Sequence, residues 1–144
     1  MTTTTLMISI HPKYAEKIFS GEKKVELRKI KPRVKKGDQI LVYVSSPEKS
    51  LQGILRVDEV ISNSPEELWK MVKDEAGISS SEFENYYTKK EKGYGIYFAV
   101  EEKFSTPISL EKLKKLFGKF HPPQSYRYFS NEDLAKYSFT LQNY

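Results

Sequence analysis

The stretch GEKKVELR, residues 21–28, decides how the rest of the chain is interpreted. Val25 and Leu27 alternate with charged neighbours, which is the period of a β-strand with one apolar side. Glu26 and Arg28 lie two residues apart and therefore project from the same side of that strand. If this side faces water, the pair is an ordinary solvent-exposed pair of charged residues. If it faces a cleft, it is a carboxylate and a guanidinium that together can grip a planar polar ligand.

The segments on either side of this stretch predict strands alternating with short helices. A strand is expected over residues 6–10, and the helix that follows begins at Pro12 and stops at Gly21. Further strands are expected over residues 39–44, 51–61 and 93–100, the last with an extension towards 104. Gly53 inside the second of these predicts a bulge or a close backbone approach.

Three serines carry the capping signals that begin helices, and they precede apolar residues at helical spacing. These capping serines are Ser64, Ser79 and Ser109. Residues 121–128 form an aromatic, proline-containing segment that we expect to be extended, and residues 130–137 are expected to form a final short helix. The 144 residues show no internal repeat, no linker and no break in composition, so the sequence predicts one α+β domain built on a small, mostly antiparallel curved sheet or barrel.

Composition limits the chemistry that the chain can perform. There is no cysteine, which excludes disulfides, thiolate nucleophiles and zinc–cysteine sites. With two histidines, a multi-histidine metal centre is not expected, and neither a metal nor a cofactor is predicted. No apolar stretch approaches about 18 residues, and the first five residues lack the features of a signal peptide, so we expect a cytoplasmic protein without a membrane span.

The positive charge of the chain is concentrated in one segment. The net charge is +5, and residues 28–36 hold six basic residues and no acidic one. Five of these follow the motif strand: Lys29, Lys31, Arg33, Lys35 and Lys36. Such a cluster is typical of a surface that binds the backbone of a polyanion. A solvated loop that keeps a small domain soluble explains it equally well.

The order and spacing of these features resemble a known family. The pattern Gly21-x-Lys23-x-x-Glu26-x-Arg28 after a proline-led helix resembles the signature of the ASCH family, whose members are related to the PUA-like barrels. The Lys-Gly-Asp turn at 36–38 and the late strand at 95–98 also match that family. The likeness covers about residues 6–110, followed by an aromatic, proline-rich extension over 119–144. It implies a five- to six-stranded PUA-like barrel, mostly antiparallel, with short flanking helices and a cleft beside the motif strand.

The resemblance also implies a class of ligand. Members of the family are mostly thought to bind RNA, or a modified base or nucleoside, and some are described as ribonucleases. One branch hydrolyses N4-acylated cytidines with a lysine, a threonine and a glutamate. Lys23 matches that lysine, whereas the threonine position holds Glu26, and the glutamate would lie near Glu75. Since a carboxylate replaces the hydroxyl nucleophile, the departure puts this amidase chemistry in question.

The residues themselves offer several candidate ligand contacts. Lys23 could hold a phosphate or, if desolvated, act as a base or nucleophile, whereas an exposed lysine at this position would be an ordinary solvated one. Glu26 could accept from the exocyclic amine of cytosine, and Arg28 could orient it or bind a phosphate. Four further candidates lie at strand ends or in the polar tail, where hydroxyls and exposed rings can reach a nucleotide: Tyr43, Ser45, Ser46 and Tyr126.

The sequence therefore supports three hypotheses. The first is an RNA-, single-stranded nucleic acid- or nucleotide-binding domain with a cleft lined by Lys23, Glu26 and Arg28. The second is an enzyme of the same fold, an N4-acylcytidine amidohydrolase or a ribonuclease, in which Lys23 acts with Glu26 or Glu75. The third is a protein–protein adaptor, which an exposed tyrosine-rich patch without a pocket would favour. The burial of Lys23 discriminates between them, because burial beside a carboxylate in a pocket favours chemistry and full exposure favours binding.

Overall fold

The structure is a computed structural model that describes residues 4–129. This part of the chain contains six strands and four helices. The strands are β1 (Thr5–Ile10), β2 (Val25–Arg28), β3 (Gln39–Val44), β4 (Ser50–Asn63), β5 (Gly93–Ser109) and β6 (Tyr126–Phe129). The helices are α1 (Pro12–Ser20), α2 (Pro65–Val72), α3 (Ser80–Tyr86) and α4 (Leu110–Phe117). The predicted helix over residues 130–137 lies outside the described residues.

The six strands form one mixed sheet in the order β2-β5-β4-β3-β1-β6. β1 and β3 are parallel, and every other neighbouring pair is antiparallel. The motif strand β2 therefore lies at one edge and pairs with β5, while β6 lies at the other edge and pairs with β1. The sheet curls into a half-barrel, as the α+β prediction expected, and this curvature brings its two edges towards each other.

The two longest strands, β4 and β5, are the source of this curvature. Their pairing shifts register at three places, and such bulges bend a strand and increase its twist. One shift falls at Gly53, where an added Cβ would lie 2.5 Å from the carbonyl oxygen of Glu102 and 2.8 Å from the ring of Phe19. The predicted close approach at Gly53 is therefore confirmed, and the absence of a side chain is what permits it.

Both long strands extend beyond their predicted limits. β4 spans 50–63 rather than 51–61, and β5 continues to Ser109 rather than ending between 100 and 104. The reason is cross-strand pairing, since the end of β5 pairs with the start of β4, Ser50 opposite Ser109. The second half of β5 is rich in polar residues and lacks a clear strand pattern, but backbone pairing to β4 keeps it in the sheet.

Three clusters of buried side chains hold the helices against the sheet. The first lies inside the curl beneath α1 and includes Ile8, Ile18 and Leu55. The second lies on the opposite face of the sheet, beneath α4. The third places the apolar side of β2, formed by Val25 and Leu27, against α2 and α3. Because that side of β2 is buried, the direction of its charged side is also determined.

The predicted helix boundaries follow from local chemistry. α1 begins at Pro12 and ends at Gly21, whose φ of 88° is favoured by glycine. The side chains of Ser64, Ser79 and Ser109 each accept a hydrogen bond from a backbone N–H in the first turn of their helix, as the capping signals predicted. Within residues 4–129, none of the helices combines the length and the apolar character needed to cross a bilayer.

Candidate functional site

A polar pocket of about 380 Å³ lies between α1, β2, α3 and the segment that precedes β6. Its wall includes the three motif side chains that the sequence predicted for one cleft, together with residues from distant parts of the chain. The polar residues that line it include Tyr14, Lys23, Glu26, Arg28, Glu82 and Ser125. The charged side of the motif strand therefore faces a concave site rather than open solvent.

Lys23 is a buried cation at the floor of this pocket. It is 4 % exposed, and its Nζ donates a hydrogen bond of 2.7 Å to the carbonyl oxygen of Ala76. The ammonium also lies 5.8 Å from the ring centre of Tyr14. In the described part of the chain, no carboxylate oxygen comes within 4 Å of it, so the charge is stabilised mainly by a carbonyl dipole and an aromatic face. Burial lowers the pKa of the Lys23 amine, an effect that nearby Glu26 partly opposes.

Glu26 and Arg28 form an ion pair along the wall of the pocket. Glu26 Oε2 lies 2.8 Å from Arg28 Nη2, and both side chains are almost nine-tenths buried. Arg28 Nη1 donates a second hydrogen bond of 2.8 Å to Ser125 Oγ. The remaining donor, Arg28 Nε, is buried without an acceptor in the described structure. The guanidinium is thus held in one orientation by a carboxylate and a hydroxyl, as a preorganised anion-binding group requires.

Tyr14 and Glu82 form a second polar pair on the opposite wall. The Tyr14 hydroxyl donates to Glu82 Oε2 at 2.5 Å, while Glu82 Oε1 accepts from the backbone N–H of Ser79 at 3.2 Å. The hydrogen bond from Tyr14 is the main reason that the pKa of Glu82 falls to about 2. The same bond raises the pKa of Tyr14. The pocket therefore contains a carboxylate that stays ionised at neutral pH, held by a phenol.

Comparison with known proteins shows the family of this chain. The family model described as the ASCH domain matches residues 8–107, more than half of the chain. The chain belongs to the ASCH family. The predicted family is thereby confirmed, and with it the PUA-like α+β fold.

A named protein and a crystal structure, both from Zymomonas mobilis, match this ASCH domain over most of their length. A protein named ASCH domain-containing ribonuclease is 29 % identical over 130 residues, which cover 90 % of this chain and 87 % of the relative. The crystal structure of ASCH from Zymomonas mobilis has a TM-score of 0.84, is 28 % identical, and covers 94 % of each chain. A third relative, named large ribosomal subunit protein uL22, from Ureaplasma parvum, is 30 % identical over 88 % of this chain and 40 % of its own length.

The structure places the predicted glutamate elsewhere. Glu75 does not line the pocket. Its backbone oxygen accepts from the N–H of Lys24 at 2.7 Å. Burial raises the pKa of Tyr97, and the Glu75 carboxylate adds to that effect. The segment after α2 presents the carbonyl of Ala76, rather than an acidic side chain, to Lys23. The carboxylate that reaches the pocket from this region is Glu82, seven residues later and on α3.

Three further candidates lie away from the pocket. Tyr43 is 3 % exposed and packs in the second cluster, because alternation along β3 directs Val42 and Val44 into the first cluster and Tyr43 to the opposite face. Ser45 is bonded to β1, where its N–H and hydroxyl both donate to the carbonyl of Ile10. Ser46 lies exposed in the adjoining turn. Tyr43, Ser45 and Ser46 therefore do not line this pocket.

The basic segment, residues 29–36, leaves the pocket at Arg28 and runs along the surface. Its lysines and arginine are exposed, namely Lys29, Lys31, Arg33, Lys35 and Lys36. Lys29 Nζ lies 4.5 Å from the ring centre of Tyr86, and Lys35 Nζ lies 3.5 Å from Asp38 Oδ1. Tyr126 lies beside the pocket rather than inside it, with Arg28 Cζ 5.1 Å from its ring centre.

Sequence reasoning missed three pocket residues for identifiable reasons. Tyr14 falls in the apolar stripe of α1, a pattern that indicates a core residue, and its hydroxyl is the signal that it needs a polar partner. Glu82 stands three residues after Ser79, where a glutamate completes a capping box, and it also has that role in the structure. The local sequence around Ser125 is typical of a turn, and nothing in it indicates Arg28, which is 97 residues away. Within residues 4–129, no three acidic or histidine side chains converge in a way suited to a metal ion.

Proposed function

We propose that this ASCH protein is a ribonuclease in which Lys23 transfers the proton. The observation that carries the proposal is the environment of Lys23. Its amine is buried in a polar pocket and has a lowered pKa, and the same pocket contains the Glu26–Arg28 ion pair and the ionised carboxylate of Glu82. A lysine whose pKa is lowered by burial has a larger neutral fraction at physiological pH, which is the form that can act as a base. The ribonuclease name of the Zymomonas mobilis relative supports RNA as the substrate class.

The proposed reaction uses the 2′-hydroxyl of the RNA. Neutral Lys23 takes the proton of this hydroxyl, and the 2′-oxygen forms a bond to the adjacent phosphorus as the bond from phosphorus to the 5′-oxygen breaks. The leaving 5′-oxygen takes a proton from water, and Lys23 returns its proton to solvent. The products are a 2′,3′-cyclic phosphate and a 5′-hydroxyl end. Arg28, oriented by Glu26 and Ser125, lies where it can stabilise charge on the phosphate oxygens.

The remaining polar groups have proposed roles in binding. None of the described groups donates to the second oxygen of Glu26, which leaves that oxygen able to accept from the exocyclic amine of a base. The pocket volume of about 380 Å³ lies in the range of small-ligand sites and suits one nucleotide. The basic segment beyond Arg28 would follow the RNA backbone with phosphate contacts.

The decisive experiment is cleavage of an RNA oligonucleotide by wild type, Lys23→Met and Lys24→Met. Lys24 is the matched control because it is the neighbouring lysine and is exposed. We expect Lys23→Met to lower kcat by about 10²–10⁴-fold, the usual contribution of a general base, and Lys24→Met to leave it nearly unchanged. Replacing the scissile ribose with 2′-deoxyribose should abolish cleavage, and mass spectrometry should find the cyclic phosphate. Full activity of Lys23→Met would disprove the assigned role.

A second candidate is hydrolysis of an N4-acylated cytidine in the same pocket. The presence of a buried lysine and of the Glu26 and Glu82 carboxylates in the lining of one cavity of nucleoside size favours it. Incubation with N4-acetylcytidine, followed by chromatography for cytidine and acetate, tests it directly. Release of acetate that is lost in Lys23→Met, without cleavage of RNA, would select this alternative over the ribonuclease.

Binding without chemistry remains a third outcome of the same measurements. Saturable, salt-sensitive RNA binding without any product would support an RNA-binding domain, since phosphate contacts weaken steeply with salt. A protein–protein adaptor would show neither RNA binding nor turnover. The buried position of Lys23 in a pocket is the feature that favours an enzyme over these two.

A further inference from the structure

The surface between the pocket and the basic segment carries an ordered series of arginine and tyrosine side chains. Arg28 Cζ lies 5.1 Å from the ring centre of Tyr126, and the rings of Tyr126 and Tyr128 are 5.6 Å apart in an edge-on arrangement. Arg33 Cζ lies 4.2 Å from the ring centre of Tyr128. These four residues, hereafter the Arg–Tyr strip, lead from the pocket wall outwards along β6.

The strip is held in place by contacts that order its side chains. Tyr126 and Tyr128 are two residues apart on β6 and therefore share one face of the strand. The Tyr128 hydroxyl accepts from the backbone N–H of Arg33 at 2.7 Å, which fixes the basic segment against β6. The strand is fixed in turn, because the N–H of Ser9 donates to the carbonyl of Ser125 at 2.9 Å. A surface ordered in this way before binding loses little entropy when a ligand arrives.

The exposed part of the strip has the chemistry of a platform for a single-stranded base. Tyr126 is 37 % exposed, and Ile30, which borders the same notch, is 69 % exposed. Arg33 and the neighbouring lysines of the basic segment supply cations around these apolar surfaces. Aromatic rings combined with a basic path are the usual means of binding single-stranded nucleic acid, with bases stacking on the rings and phosphates on the cations.

We propose that the Arg–Tyr strip is a second nucleotide subsite, in which the base next to the one in the pocket stacks on Tyr126 and its phosphate binds Arg33. The proposal rests on the ribonuclease function proposed above, because it takes single-stranded RNA as the ligand of the pocket. It adds that the enzyme recognises at least two successive nucleotides, and that the RNA leaves the pocket past Arg28 towards β6. A mononucleotide fills the pocket alone and does not reach Tyr126 or Arg33.

The test is binding of non-cleavable RNA of different lengths to the full chain. The ligands are the four nucleoside 3′-monophosphates and mixed-sequence 2′-O-methyl RNA of six nucleotides. The variants are Tyr126→Ala, Tyr126→Phe and Arg33→Ala, with Arg127→Ala as the matched control. Arg127 is an exposed arginine on the same strand that stacks on Phe129 at 5.0 Å, and alternation along β6 places it on the opposite face.

We expect Tyr126→Ala to weaken binding of the six-nucleotide RNA by about 5- to 150-fold, the loss of one stacked base, and to leave mononucleotide affinity unchanged. Tyr126→Phe keeps the ring and should bind like wild type. Arg33→Ala should weaken oligonucleotide binding more than Arg127→Ala, although both remove one positive charge. Circular dichroism and thermal melting establish that each variant is folded, and if Tyr126→Ala does not fold, the Arg33 and Arg127 comparison decides.

Two results would contradict the proposal that the Arg–Tyr strip is a nucleotide subsite. One is oligonucleotide affinity in folded Tyr126→Ala equal to that of wild type, and the other is equal effects of Arg33→Ala and Arg127→Ala. These outcomes are separate from failure of the proposed function, which would show as wild-type protein that cleaves no RNA. Because the ligands cannot be cleaved, binding to the strip is measured whether or not the protein is a ribonuclease.

Discussion

Lys23 is a charged side chain in a buried position. Its ammonium gains one hydrogen bond, from Nζ to the carbonyl of Ala76, and burial still lowers its pKa. A lowered pKa means that the folded state disfavours the charged form relative to the unfolded chain. Residues that reduce stability in this way are often retained for function.

We therefore expect Lys23→Met to be more stable than wild type at pH 7, by about 0.5–2 kcal/mol, the usual gain from such substitutions. The gain should shrink as the pH rises from the lowered pKa of Lys23 towards 10.5, its unperturbed value. In that interval the folded wild type holds a neutral amine while the unfolded chain is still protonated, so the stability of the wild type rises with pH. Urea unfolding at several pH values, with Lys24→Met as the control, measures this. A variant less stable than wild type at pH 7 would show that the Ala76 hydrogen bond outweighs burial.

Tyr14 controls the ionisation of Glu82. Its hydroxyl donates to Glu82 Oε2 and is the largest cause of the pKa of about 2. In Tyr14→Phe we expect the pKa of Glu82 to rise towards 4.5, incompletely, because the N–H of Ser79 still donates to the other oxygen. The wild-type contribution of Glu82 to stability should be present above pH 4.5 and lost as the pH falls towards 2.

Titration of the side-chain carboxyl ¹³C resonance of Glu82 by NMR measures this change. Glu84, an exposed glutamate on the same helix, is the control, and its resonance should not differ between the two proteins. An unchanged Glu82 titration in Tyr14→Phe would contradict the assigned hydrogen bond.

At the scale of single elements, α3 is the short helix that completes the site. It contributes Glu82 to one wall, and its last residue, Tyr86, donates to the carbonyl of Leu27 at 3.2 Å. The next residue, Tyr87, donates to the carbonyl of Arg28 at 2.9 Å. The helix therefore holds the motif strand from its buried side. A helix of seven residues has little intrinsic stability, so its cap and these tertiary contacts determine whether it forms.

The capping box of α3 links helix stability to the pocket. Ser79 Oγ accepts from the N–H of Glu82 at 3.1 Å, and Glu82 Oε1 accepts from the N–H of Ser79. We expect Ser79→Ala to destabilise the protein by about 1 kcal/mol and also to reduce activity, because Glu82 loses part of its support. Ser64→Ala removes the equivalent cap of α2, away from the pocket, and should cost similar stability without changing kcat. Melting curves and RNA cleavage of both variants test this. Equal activity of the two variants would show that the cap of α3 does not affect the pocket.

At the scale of the whole molecule, the site exists because the curled sheet brings distant segments together. Lys23 meets Ala76 across 53 residues of sequence, Tyr14 meets Glu82 across 68, and Arg28 meets Ser125 across 97. The basic segment begins directly after Arg28, so the pocket and the positively charged surface are continuous. The salt dependence of RNA affinity should therefore depend on where the positive charges lie as well as on how many there are.

We expect the triple variant Lys29→Gln, Lys31→Gln, Lys36→Gln to reduce the slope of log affinity against log salt by about 2, or 0.7 for each lost phosphate contact with single-stranded RNA. The control triple, Lys114→Gln, Lys115→Gln, Lys119→Gln, changes the net charge equally on or next to α4. Its slope should remain close to that of wild type. Binding measured between 50 and 300 mM salt distinguishes the two. Equal slopes for both triples would indicate that only net charge matters, and the basic segment would not be the path of the RNA.

The local sequence was sufficient to predict where helices begin and end and which residues share one side of a strand. The helix stop at Gly21 and the three serine caps depend on contacts within a few residues. Gly53 is predictable for another reason, because a glycine inside a strand pattern marks a close approach even though its partners, Glu102 and Phe19, are distant in sequence. Likewise, the alternation in residues 25–28 determined that Glu26 and Arg28 share a side, since the period of a strand is a property of the backbone itself.

Tertiary structure alone decided which side of that strand faces the pocket and which residues complete it. A period of two relates neighbours to one another but does not say which face another element will cover. Packing of α2 and α3 on Val25 and Leu27 buried one side of the strand and left Glu26 and Arg28 facing the cavity. The same long-range packing placed Glu82 in the pocket instead of Glu75. Contacts across tens of residues depend on how the whole sheet curls, and no local pattern in the sequence records that.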